Sequence, residues 1–274
     1  MPSTSEYPEG LPGALDAPRS SQRPEAGTPS ETERKTIVFV VGTARSGTTA
    51  TVRLLNSHSR ICIGMERLKY VKTLKGNEFD KKRFFAFSPE QTNILPTTNG
   101  PWKKFYADLE SRFDQSRVVG DKFGTKPGIF KRIRSVYPEA RFIHIVRSID
   151  RVAASWNARA ADKKDRWPPH ADYRAAVPRW NMANREALDA IDHGLPVTVI
   201  DYEKFYSNQS DVDGLLEFLT VTTDASFLET YKASCRFFTD EVRGRKLERL
   251  PGEEAYIAEH ADLGQFARLK TLAL

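Results

Sequence analysis

The sequence predicts an α/β fold: a P-loop-type central parallel sheet flanked by helices, in a single domain behind a disordered N-terminal tail. Three observations lead there. The apolar run IVFVV, Ile37 to Val41, feeds directly into GTARSGTTATV, and a strand that enters a glycine-bracketed loop and leaves as a helix commonly holds a phosphate group. Two further short runs, Phe142 to Val146 and Val197 to Ile200, have the β-branched and aromatic character of strands buried on both faces. Helix-like stretches separate these runs, as expected of a parallel sheet covered by helices.

Residues 1–34 hold six of the sixteen prolines, several serines and no apolar periodicity. Such a segment buries too little surface to offset its ordering entropy, so a disordered extension is expected, followed by one domain over residues 35–274. MPSTSEYPEG has neither the basic start nor the apolar stretch of a secretory signal, and no run approaches the roughly 18 apolar residues of a membrane span. A cytoplasmic protein is therefore expected. Cys62 and Cys235 show no pairing or metal-ligand spacing, which suits a reducing compartment. The 274 residues carry a net charge of +6; without the first 34, 39 basic side chains face 30 acidic ones. That balance of +9 favours anionic ligands without naming one.

After the first strand, a helix is expected from Thr48 to Asn56. Leu68 to Asn99 lacks clear periodicity and reads as an insertion near the site. Pro127 can open a helix through Ile129, Ile133 and Val136, which Pro138 stops before the strand at Phe142. A helix from Ile149 to Ala160 follows, then one from Ala175 to His193 that ends at Gly194, with Pro178 marking a kink or a fresh start. Beyond the strand Val197 to Ile200, Asp213 to Leu219 and Ala225 to Cys235 read as helices.

The loop GTARSGTT can turn consecutive backbone N–H groups inward while the following helix adds the positive end of its dipole. Thr48 and Thr49 supply hydroxyls, and Arg45 can place a guanidinium on the same anion. A triphosphate-binding loop needs a lysine where this chain has Thr48, and a Ser/Thr and an acid on magnesium. The strand-end Asp201 could be that acid, or equally a residue opening the turn DYEKFY. Farther on, Arg147 stands at the carboxyl end of an expected central strand and Ser155 lies eight residues later. Ligands of open α/β sheets bind at such ends, so the two stretches together imply a ligand with two separated anionic groups.

With these residues the sequence resembles the sulfotransferases that use 3′-phosphoadenosine 5′-phosphosulfate, in their carbohydrate- and tyrosyl-protein-type branch. GTARSGTT, with Arg45, Ser46, Gly47, Thr48 and Thr49, is similar to their 5′-phosphosulfate motif. Arg147 and Ser155 in R-x7-S spacing resemble their 3′-phosphate motif. VVGDKFGTKPGIFKRIRSVYPEARFIHIVR and VTVIDYEKFY resemble the stretches around the later strands, so the likeness runs from about Ile37 to about Leu219. The chain departs from the usual R-D-P-x-D with Arg147-Ser148-Ile149-Asp150-Arg151. RGRKL, Arg243 to Leu247, is either a substitute for the carboxyl-terminal cofactor segment or a solvated basic run.

The resemblance implies metal-independent transfer of a sulfuryl group from that donor to a hydroxyl or amine, leaving adenosine 3′,5′-bisphosphate. Arg45 would stabilise charge on the leaving phosphate, and Lys122 in GDK is a second cation, unless it simply pairs with Asp121. Glu66 in CIGMERL is the expected base, by likeness to a C-G-E-E-x-R context in the tyrosyl-protein branch. Arg67 would then contact substrate, with a Glu66–Arg67 surface pair as the plain alternative. His58 is the second candidate base. His144, alternating with Ile143 and Ile145, reads as a satisfied core residue, and His170, His193 and His260 fall in no metal-ligand pattern.

The acceptor is expected to be a small molecule, a glycan or a peptide. A P-loop kinase or a catalytically silent nucleotide- or polyanion-binding relative is the alternative. KKRFFAF, Lys81 to Phe87, and PWKKFY, Pro101 to Tyr106, interleave cations with aromatics, as single-strand nucleic-acid binders do. Core aromatics beside solvated lysines explain both runs better, so nucleic acid is not the expected partner.

Overall fold

The computed structural model describes residues 35–96, 100–207 and 212–274; the expected N-terminal extension lies outside them. Five strands form one sheet: β1 (Thr36–Gly42), β2 (Ile61–Met65), β3 (Val118–Gly124), β4 (Arg141–Val146) and β5 (Val197–Asp201). Their order is β2-β3-β1-β4-β5, and every neighbouring pair is parallel. All five carboxyl ends therefore share one edge, which places Glu66, Lys122, the loop after Gly42, Arg147 and Asp201 along a single line.

The helices are α1 (Thr48–Leu55), α2 (Lys81–Phe84), α3 (Gly100–Arg112), α4 (Ile129–Arg134), α5 (Ile149–Ala161) and α6 (Tyr173–Asp192). They continue with α7 (Tyr202–Tyr206), α8 (Val212–Phe218), α9 (Ala225–Phe237), α10 (Glu253–His260) and α11 (Leu263–Thr271), and α9 runs into a π-helical turn, Phe238–Arg243. The main core surrounds the sheet, where Val38 to Val41 are fully buried. A second apolar cluster joins α5, the first half of α6 and α10 through Val152, Trp156, Val177, Trp180 and Ile257. None of the described helices is long and apolar enough to cross a membrane.

Sequence patterning misses β2, β3, α2, α3, α7, α10 and α11. β3 reads VVGDKFG, and its glycine and two charges break the apolar run, yet Asp121 is fully buried and Lys122 nearly so. Gly120 is required there, because a Cβ would stand 1.8 Å from Val38 O on β1. α4 begins at Ile129 rather than at Pro127, after Gly128 takes a left-handed φ of 67°, and Val136 falls beyond its end. Pro178 lies inside an unbroken α6; it cannot donate to Arg174 O, and the hydroxyl of Tyr256 donates to that oxygen instead, at 3.5 Å.

The stretch from 68 to 96 packs partly on the main core. Phe79 meets Phe39 and Tyr137, Phe84 meets Phe113, and the chain returns so that Tyr70 N–H donates to Gln91 O at 2.9 Å. In the two cation–aromatic runs, Phe84, Trp102 and Tyr106 are buried while Lys81, Lys82, Lys103 and Lys104 are exposed. Their aromatics belong to the core.

Candidate functional site

Between β1 and α1 the chain turns on two glycines. A Cβ at Gly42 would come within 2.8 Å of Ile145 O and Ser46 Oγ, and one at Gly47, where φ is 104°, would enter the Tyr202 ring at 2.2 Å. Between them Arg45 adopts a φ of 74°, a left-handed conformation costly for a residue with a Cβ. Long-range contacts hold it. Trp156 Nε1 donates to Ala44 O (2.9 Å), Arg147 Nη1 donates to Arg45 O (3.2 Å), and Arg45 Nε donates to Ser155 Oγ (2.9 Å). Residues about a hundred positions apart thus touch directly. Ser46 is 1% exposed, and its Oγ has no hydrogen-bond partner among the described residues.

Arg147 leaves the carboxyl end of β4 with its guanidinium stacked over Tyr202, 4.5 Å from the ring centroid, and its Nε 3.4 Å from Glu203 Oε1. Trp180 Nε1 fixes the Arg147 carbonyl from α6 (2.9 Å), and Ser148 N–H donates to Glu203 Oε2 (3.3 Å). Burial pushes the Glu203 carboxyl up, and Arg147 pulls it back. Asp201 caps α7: its Oδ1 accepts from the N–H groups of Glu203 and Lys204, and Oδ2 lies 3.3 Å from Lys270 Nζ. The reading of Asp201 as a strand-end residue accounts for both oxygens.

The altered turn after Arg147 has its own chemistry. Ser148 caps α5 through Arg151 N–H, Ile149 packs into the second cluster, and Asp150 pairs with Arg249 at 2.8 Å. Arg151 donates to the carbonyls of Val242, Arg243 and Arg245 at 3.3, 2.7 and 2.9 Å. RGRKL is therefore held by its main chain against the start of α5, while the side chains of Arg243, Arg245 and Lys246 are exposed, as a solvated basic run would be.

Two strands away, Glu66 follows β2 with a φ of 51°, and its N–H extends the ladder by donating to Lys122 O (2.8 Å). Lys122 Nζ lies 3.0 Å from its Oε1 and Lys69 Nζ 2.6 Å from its Oε2. Burial opposes the charge, but Lys122 and Lys69 outweigh it and hold the carboxyl at about 2. Lys122 thus pairs with Glu66 rather than with Asp121. Successive strand residues point to opposite faces, and Asp121 turns the other way to accept from the N–H groups of Arg67 (3.0 Å) and Leu68 (2.8 Å). Burial raises Asp121 to about 6 against those two bonds.

Two expectations fail on burial. Arg67 is 3% exposed; it donates to the carbonyls of Arg83, Phe84 and Ala86 and stacks on Phe87, so neither a substrate contact nor a Glu66–Arg67 surface pair is formed. His58 lies in the turn beyond α1, at the helix end away from the loop, where Nδ1 accepts from Arg60 N–H (3.0 Å) and Nε2 meets Thr222 O (2.8 Å). It is a packing residue. His144 is in the core as expected but unsatisfied: it is fully buried, and neither ring nitrogen has a hydrogen-bond partner among the described residues. Burial lowers it to about 4, against a weaker opposing pull from nearby Asn184.

Sequence reasoning did not single out Tyr202, Glu203, Trp156 or Lys69. Trp156 directly follows Ser155 and Lys69 is three residues after Glu66, but nothing in a linear pattern says that either side chain reaches the site.

A model of the sulfotransferase family matches residues 38–225. Among solved structures, the sulfotransferase domain from the Synechococcus PCC 7002 olefin synthase aligns with a TM-score of 0.52 at 18% identity, covering 90% of this chain and 98% of that one. The sulfotransferase domain from the curacin biosynthetic pathway aligns at 0.49 and 18% identity, covering 89% and 93%. Mouse sulfotransferase SULT7A1 complexed with PAP aligns at 0.44 and 11% identity, covering 87% and 82%. No curated protein sequence matches.

Proposed function

The chain belongs to the sulfotransferase family, and we propose that residues 35–274 form a cytoplasmic, metal-independent transferase. In this reading a sulfuryl group passes from 3′-phosphoadenosine 5′-phosphosulfate to a hydroxyl or amine of a small-molecule, glycan or peptide acceptor. The observation that supports it best is the direct contact between the two motifs, Arg45 Nε to Ser155 Oγ at 2.9 Å with Arg147 on the Arg45 carbonyl. A nucleotide bearing a phosphate at each end of its ribose needs two such sites side by side. The buried Ser46 Oγ, without a hydrogen-bond partner among the described residues, and the cradle left by Gly42 and Gly47 suit an anion.

Ser46, Gly47, Thr48 and Thr49 would hold the 5′ end through amides and hydroxyls, and Arg147 and Ser155 the 3′-phosphate. The donor supplies the activated sulfur–oxygen bond. Arg45 would stabilise the charge that collects on the departing phosphate oxygen, and Lys122 would offer a second cation to the transferring group. Glu66 would take the acceptor's proton on a carboxylate oxygen as the new bond to sulfur forms, and the bonding pair of the broken sulfur–oxygen bond leaves with the bisphosphate.

Calorimetry with adenosine 3′,5′-bisphosphate tests the donor site: micromolar binding without magnesium, lost in Arg147→Ala, is expected. Tight binding of ATP with magnesium in its place would sink the reading and favour a P-loop kinase. Glu66→Gln is expected to abolish transfer while bisphosphate binding persists. Labelled donor incubated with small-molecule, glycan and peptide pools identifies the acceptor class.

A further inference from the structure

A carboxylate held at about 2 is a poor proton acceptor, so the lysine pair around Glu66 poses a question that the reaction alone does not answer. The two lysines differ in how they are held. Lys122 comes from β3, with only 10% of its side chain exposed, beside Val40 and two residues before Gly124, which pairs with Gly42 at the mouth of the loop. Lys69 belongs to the turn that Glu66 opens: its N–H donates to Glu66 O (3.2 Å), and its own carbonyl accepts from Lys126 Nζ (2.8 Å). Its side chain is 37% exposed. Lys122 is thus placed to turn toward a group at the loop, whereas Lys69 is tied by its backbone to the residue it pairs with.

We propose that Lys69 is a positioning residue: it keeps one oxygen of Glu66 anchored and the carboxylate ionised when the transferring group draws Lys122 off the other. This rests on the reading of Glu66 as the base. Released from one of its two lysines, Glu66 becomes a stronger base at the moment it is needed, while Oε2 remains fixed and Oε1 is free to accept the proton. The charged groups facing the carboxylate are Lys122 from β3, Lys69 from its own turn and, at longer range, Lys126 from the segment after β3. Arg67 and Asp121 are turned away toward each other and toward the backbone of residues 83–86.

Carbon-13 NMR titration of the Glu66 carboxyl in the full chain reads this without an acceptor. In Lys122→Met, where Lys69 alone remains, the carboxyl is expected to titrate below the ordinary value of 4.5. Adding Lys69→Met should carry it above 4.5, because burial is then unopposed by either lysine, and Lys69→Arg in the same background should bring it back down. A Lys122→Met protein that titrates above 4.5 overturns the proposal, as does a double variant that stays below it. Far-ultraviolet circular dichroism and a thermal melt, measured in parallel, check that each variant is folded, and Lys69→Gln repeats the test should the methionine variant aggregate. Turnover of Glu66→Gln tests the base separately: full activity there ends the base reading and leaves the titration result standing.

Discussion

The two halves of the site are built by different means. The loop side, Gly42 to Thr49 with Arg147 to Trp156, is made of backbone: glycines that admit close approach, a left-handed Arg45, and carbonyls captured by Trp156 and Arg147. The carboxylate side, Glu66 to Lys69 with Asp121 and Lys122, is made of side chains, Asp121 and Lys122 buried and Glu66 and Lys69 partly so, that pair from β2 to β3 and within the turn after β2. Backbone geometry leaves a mark in the local sequence, because a turn demands particular residues at fixed spacing. Cross-strand pairing leaves none, because its partners are set by the register of β2 on β3.

The strongest test of that contrast is Gly120→Ala. Its Cβ would collide with Val38 O, so a loss above about 4 kcal/mol is expected in a denaturant melt, and near-normal stability would show that β1 and β3 can part. Gly47→Ala comes next. The Cβ would meet the Tyr202 ring in a conformation that costs about 1–3 kcal/mol, so calorimetry should find bisphosphate affinity weakened about tenfold or more while the fold survives.

Smaller effects separate the two buried carboxyls by sign. Asp121 is raised from 3.8 to about 6, so the folded state binds its proton more tightly and stability falls as pH climbs through that window. Glu66 is depressed from 4.5 to about 2, so its contribution is complete above 4.5 and lost as pH falls toward 2. Asp121→Asn is expected to flatten the melting-temperature profile between about pH 4 and 6; an unchanged slope there would mean that another group sets it. The smallest effect should come from His144→Leu. It removes an imidazole whose ring nitrogens make no hydrogen bond of ordinary geometry among the described residues and only a weak interaction with Asn184, and a stability change within about 1 kcal/mol is expected by thermal melts. A large loss would mean that a buried water serves the ring.

The same contrast sets what was legible in the sequence. β1, β4 and β5 show as apolar runs, and Arg45 and Arg147 can be paired because each stands at a strand-to-helix junction, with Ser155 placed inside α5 by its spacing from Arg147. β3 was hidden because its middle residues are charges that only their distant partners make tolerable in a core. Glu66 is expected at the site by resemblance alone, and its grip by Lys69 and Lys122 leaves no signal in the linear pattern. Arg67 and His58 were misread for the converse reason: polar residues next to a motif looked chemical, while their hydrogen bonds go to backbone carbonyls and amides.

The bonds that brace the loop span 102 to 112 positions along the chain. Contacts of such separation close late, after β4 and α5 have docked on β1, since loop-closure entropy must be met first. Nucleotide affinity should accordingly be among the last properties acquired during folding, and a fluorescent bisphosphate added to a refolding reaction would serve as a clock for its final step.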